Sequence, residues 1–221
     1  MELLGPILAV RTLDNPRISF HPRHIPERYG LFTLIVLGES VLAVASGTAG
    51  TDWAPAGVLT AVAGFVAAAC TWCLYFDYVG SSGIELGPRP AFYWGYGHFA
   101  VYAGIAAFAV GIQLAIETTA PHSALALAAG APSAGGYGPG ARAMLAGGAV
   151  LFLAATAFVD RVNEGAANDR VLLARFAAVT FLVTVTVLGF LLSPLAFTAT
   201  VSLVLLALTT YETLSADPQA S

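Results

Sequence analysis

The stretch that decides the fold is His21-Pro-Arg-His-Ile-Pro-Glu-Arg-Tyr-Gly-Leu-Phe-Thr-Leu-Ile-Val-Leu-Gly-Glu-Ser-Val-Leu-Ala-Val-Ala-Ser46. It opens charged and proline-broken, then runs into an apolar block that continues to residue 49. At ~1.5 Å per residue, a helix over 29–49 crosses the ~30 Å hydrocarbon layer of a bilayer. One carboxylate, Glu39, interrupts the block. An ionisable side chain at that depth costs at least ~2.5 kcal/mol unless it is solvated or paired. Glu39 is therefore the first place to look for function.

The rest of the chain agrees with a membrane reading. Of 221 residues, 57% are hydrophobic and only 10% are charged, with mean hydropathy +0.78. Soluble domains carry about 25% charged residues, so this chain cannot cover a water-facing surface. Its apolar residues come in long blocks without alternation, which favours helices over a β-barrel. The expected fold class is all-α, a polytopic transmembrane bundle of about six helices. Its partner is the lipid bilayer, and a nucleic-acid partner is not expected. Residues 1–10 read as the stub of a membrane segment or an interfacial turn, without the basic start of a signal peptide. Residues 1–28 form an N-terminal interfacial segment, 29–213 the transmembrane domain and 214–221 a polar tail. The predicted spans are 29–49, 56–79, 91–117, 141–159, 171–192 and 195–210. Aromatic residues close the second block and open the third, as a shared interfacial belt.

Arginine placement sets the expected orientation. All nine basic residues are arginines. With the N-terminus in the cytoplasm, the cytoplasmic segments hold Arg11, Arg17, Arg23, Arg28, Arg89, Arg161, Arg170 and Arg175, against Arg142 alone outside. That imbalance predicts a cell-membrane protein with both termini inside. In the third block, Gly97, Ala100, Gly104, Ala107 and Gly111 form a stripe of small residues, read as a packing face for another helix.

On this topology Glu39 lies twelve residues beyond Glu27, ~18 Å deeper. Glu27 and Arg28 sit at the mouth of the first helix, Asp77 near the end of the second, and His98 two turns into the third. The five form candidates for proton or cation binding: a polar vestibule leading down to Glu39. Each has a plainer reading. Glu39 as a protonated, hydrogen-bonded group would only join helices. His98 would bond Tyr102, one turn on. Asp77 would face solvent, Glu27 would complement the helix start, and Arg28 would reach lipid phosphates.

Two further patterns concern metals. Cys70, Cys73 and Asp77 share a helix face, and with His98 they match a soft-metal set; small-residue packing is the competing account of the cysteines. His21, His24 and Glu27 have ligand-like spacing, but Pro22 and Pro26 argue against a continuous helix across them. No pattern assigns a cofactor, and Walker A, GxGxxG, HExxH and nucleophile-elbow motifs are absent from the sequence.

The motif His24-Ile-Pro-Glu27-Arg28-Tyr-Gly30-Leu-Phe32-Thr-Leu-Ile-Val-Leu-Gly38-Glu39-Ser40 resembles that of the bacterial low temperature requirement A (LtrA) family. Leu74-Tyr75-Phe76-Asp77 and Tyr96-Gly97-His98 follow in the family's order and spacing. The resemblance implies a multi-pass bacterial membrane protein, and it implies little chemistry, the family's name reflecting growth in the cold. Family members carry more membrane helices ahead of the motif. The resemblance therefore implies a half-length or N-terminally truncated form, with a homo-oligomer or a missing N-terminal half completing the bundle. Three functional classes follow in order of preference. The first is a transporter or channel-like protein binding a proton or cation at Glu39, which predicts a polar cavity around it. The second is a membrane-embedded enzyme on a lipid substrate, which predicts Glu39, Asp77 and His98 around one pocket. The third is a structural or sensory protein, which predicts Glu39 fully packed.

Overall fold

A computed structural model describes residues 24–77, 88–119, 137–162 and 169–215. These residues form six helices, each long and apolar enough to span a bilayer, with no strand among them. The helices are α1 (His24–Ala49), α2 (Pro55–Phe76), α3 (Pro88–Glu117), α4 (Pro139–Val162), α5 (Asp169–Leu188) and α6 (Pro194–Ser215). A short 3-10 turn, Gly189–Leu191, closes α5.

α1 begins five residues earlier than the apolar pattern predicts. Pro26 falls in its first turn, where the missing N–H has no intrahelical partner to lose. Prolines also open α2, α3, α4 and α6; their fixed φ suits the first helical position. Ser193 caps α6 by accepting the Ala196 N–H at 3.2 Å. The connection from α1 to α2 turns through Asp52 and Trp53, whose φ angles of 50° and 59° lie in the left-handed region.

α4, rich in alanine and glycine, is the most deeply buried of the six helices. It packs most extensively on α3, while α2 packs on α6 and α1 on α3. Small residues suit that place, because they let backbones approach. The small-residue stripe of α3 meets α4, and its working part is narrower than predicted. Gly97 faces Val159, Gly104 faces Phe152 and Gly148, and Gly111 faces Leu145. Each step of seven residues up α3 matches a step of seven down α4, so the two run antiparallel in fixed register. A Cβ on Gly104 would lie 2.6 Å from the Phe152 backbone nitrogen. Ala100 and Ala107 are only partly buried and flank this seam.

α5 is peripheral. Its apolar residues mostly face outward, as expected where lipid covers them. A hydroxyl ties α6 to α2: Ser202 Oγ donates to the Ala63 carbonyl at 2.5 Å.

Candidate functional site

The sequence-predicted polar residues lie mostly toward the end of the bundle where α1 begins. There α1, α2 and α3 build an aromatic core around His98, which is fully buried. His98 Nδ1 lies 2.9 Å from the Trp94 carbonyl one turn earlier. A carbonyl only accepts, so Nδ1 carries the hydrogen. Nε2 then accepts from the Tyr75 hydroxyl at 3.1 Å. Both ring nitrogens are used, and the imidazole is neutral in this arrangement. Tyr29 of α1 packs edge-on against Trp94 and His98, with ring centroids 5.1 and 4.9 Å away. Tyr102 donates instead to the Tyr29 carbonyl at 3.2 Å, so the partner of His98 is Tyr75 and not the Tyr102 expected from helical spacing.

Outside this core, Arg28, Tyr29, Phe32, Phe99 and Tyr102 line an open groove of about 310 Å³ between α1 and α3. Arg28 is the one charged group on its wall.

Glu39 lies ten residues beyond Tyr29, ~15 Å further along α1. It is exposed on the outer face of the helix, between Ile35 and Leu42, themselves 67% and 61% exposed. No hydrogen bond or ion pair joins it to another described residue. It stands on the same stripe of α1 as Arg28 and Phe32, about two turns beyond Phe32, and is not among the residues that line the groove. Its neighbour Ser40 points the other way, fully buried, with Oγ lacking a partner. Asp77 caps the end of α2 and is exposed, as is Glu27 in the first turn of α1. The structure therefore brings Arg28 beside the His98 core and places Glu39 further along α1.

Cys70 is buried and Cys73 half-buried, both as free thiols. Among the described residues no group of three or more His, Cys, Asp or Glu side chains is arranged to hold a metal. His21 and the side chain of His24 lie outside the described residues, as do 1–10.

A charged cluster that the sequence reading did not assemble joins α4, α5 and α6. Arg175 donates from Nε and Nη2 to the two carboxylate oxygens of Glu212, at 2.7 and 2.9 Å. Its Nη1 donates to Asp160 Oδ2 at 2.5 Å. All three side chains are buried, at 3%, 0% and 4% exposure. Planar, bidentate pairing of this kind is what a guanidinium does best. The available signal was the place of Arg175 inside an apolar block; counting it as a surface charge for topology hid it. Arg142 is also buried, with Nε and Nη1 unpartnered. Arg28, Arg161 and Arg170 are exposed.

No curated protein and no solved structure matches the chain. The model of the bacterial low temperature requirement A protein family matches residues 1–210, and the chain thus belongs to the LtrA family, as a membrane protein with six candidate spans.

Proposed function

We propose that this LtrA-family protein handles a proton or small cation in transport across the cell membrane, with Glu39 as the binding carboxylate. One observation carries the reading. A carboxylate stands near the middle of a 26-residue apolar helix, on its outer face, without a partner among the described residues. Left in lipid it costs at least ~2.5 kcal/mol. A sequence keeps such a group where it is used or where another helix covers it. The two fit together if a second copy of the chain covers the outer face of α1, so that Glu39 works at an interface between protomers. Arginine distribution supports placing the end where α1 begins in the cytoplasm, with Arg28 and Glu27 at the entrance. The transport reading is preferred over the lipid-enzyme reading because Glu39 is exposed while His98 is buried and bonded to Tyr75 and Trp94.

The test is ion flux in proteoliposomes under a pH gradient and then under Na⁺ and K⁺ gradients, beside Glu39→Gln. The expected result is flux that the variant abolishes while expression and folding persist. Flux that survives in Glu39→Gln, or no flux from folded protein, overturns the reading. Disulfide trapping of Ile35→Cys and Leu42→Cys, in a Cys70→Ala/Cys73→Ala background, tests the interface. A crosslinked dimer in membranes is expected from both positions, and neither crosslinking counts against it.

A further inference from the structure

We propose that the buried cluster of α4, α5 and α6 is a proton-binding site, with Asp160 Oδ1 as the atom that takes the proton. This site is separate from Glu39, which lies on α1. Two carboxylates, Asp160 and Glu212, share one guanidinium, Arg175. All are nearly inaccessible, so the cluster carries one surplus negative charge in a medium that solvates it poorly. Arginine cannot adjust, because it keeps its proton under all ordinary conditions.

Geometry then says which carboxylate holds the surplus. Glu212 has both oxygens on Arg175. Asp160 has only Oδ2 on Arg175; Oδ1 is buried and has no partner. An unpartnered buried carboxylate oxygen is the costliest atom in the cluster, and adding a proton to it removes the surplus charge. No existing bond has to break: Oδ2 becomes the carbonyl oxygen of the acid and still accepts from Arg175 Nη1. The proton comes from the aqueous phase beyond the end of α4, two residues away.

Among the described residues, no other charged side chain is buried beside the cluster. On α4, Arg161 is exposed. On α5, Asp169 and Arg170 are exposed; on α6, so is Tyr211. On α3, Tyr96 is half-buried, and His98 is committed to Tyr75 and Trp94. The charged groups acting on Asp160 are Arg175 and Glu212, and the 163–168 connection contains no basic residue. A metal ion needs several converging oxygens and room to sit, and no such ligand group exists among the described residues. A proton needs neither.

The experiment is infrared spectroscopy of the full chain in lipid, titrated across neutral pH, with aspartate and then glutamate carrying a carbon-13 label. The expected result is the C=O stretch of a protonated aspartic acid, separate from any band that Glu39 gives. The aspartate label shifts it, the glutamate label does not, Asp160→Asn removes it, and Glu39→Gln leaves it. If Asp160→Asn fails to fold, the aspartate label in the unsubstituted protein still decides. A protonated-carboxyl signal that the aspartate label never shifts, or one that survives Glu39→Gln and follows the glutamate label alone, overturns the proposal.

Discussion

Gly104 of α3 and Gly148 of α4 meet backbone against backbone: a Cβ on Gly104 would lie 3.0 Å from the Gly148 carbonyl oxygen. Backbone cannot yield as a flexible side chain does, so the contact fixes how near the two helices sit. Gly104→Ala is expected to destabilise the protein by about 1–3 kcal/mol, the usual cost of overpacking a filled interior. Gly147, one position away, has nothing within 4 Å of an added Cβ. Gly147→Ala should be neutral or gain up to about 1 kcal/mol from helix propensity. Thermal unfolding in detergent, followed by tryptophan fluorescence, compares them. Equal losses for both would mean that the glycines matter for something other than the seam.

The Arg175 cluster makes a second prediction about stability. Arg175→Met leaves two buried carboxylates facing each other and should cost about 3–5 kcal/mol. Replacing all three charges together, Asp160→Leu with Arg175→Met and Glu212→Leu, should recover most of that loss, because apolar packing replaces a buried ion cluster at little cost. The same unfolding assay reads both. A triple variant as unstable as Arg175→Met would show that the ion pairs contribute net stability.

The His98 core yields a third. Tyr75→Phe removes the hydroxyl that donates to Nε2 and leaves a buried acceptor unsatisfied, at about 1–3 kcal/mol. In a background where His98 is already phenylalanine, the same change should cost much less. A double-mutant cycle measures the difference as a coupling, and a coupling near zero would refute the hydrogen bond as a stabilising contact.

Trp53 makes a fourth. It is 71% exposed and holds a φ of 59°, where an L residue is strained by roughly 1–2 kcal/mol. Trp53→Gly and Trp53→Ala both lose the indole, but only glycine relieves the strain. The glycine variant should be the more stable by about 1 kcal/mol, in the same unfolding assay. Equal stability would mean the turn relaxes once the indole is gone.

How much of this was legible in the sequence depends on the kind of signal. The six spans were, because length and apolarity are summed over twenty residues and survive local error. The place of Glu39 along α1 was legible too, since helical rise is fixed. The direction it faces was not. In water an apolar stripe marks the buried face, but in lipid both faces of α1 are apolar, and Glu39 can stand on either. The seam was half legible: the small residues were visible, but their seven-residue register became clear only with α4 alongside. His98 was paired with Tyr102 because spacing along one helix is readable, whereas Tyr75 arrives from another helix, 23 residues earlier. Arg175 was misassigned for the same reason. Its partners lie 15 and 37 residues away, and one-dimensional counting treats every arginine near a block end as a surface charge.

The glycine seam also has a consequence in time. Everything it needs lies between Gly97 and Val159, so α3 and α4 can lock as a hairpin while the rest of the chain is still being made. The charged cluster cannot. Its last member, Glu212, sits three residues before the end of α6, so Asp160 and Arg175 have each other, but not Glu212, until α6 has left the ribosome. The bundle is thus assembled around a spine that forms early and fastened by a clasp that closes last.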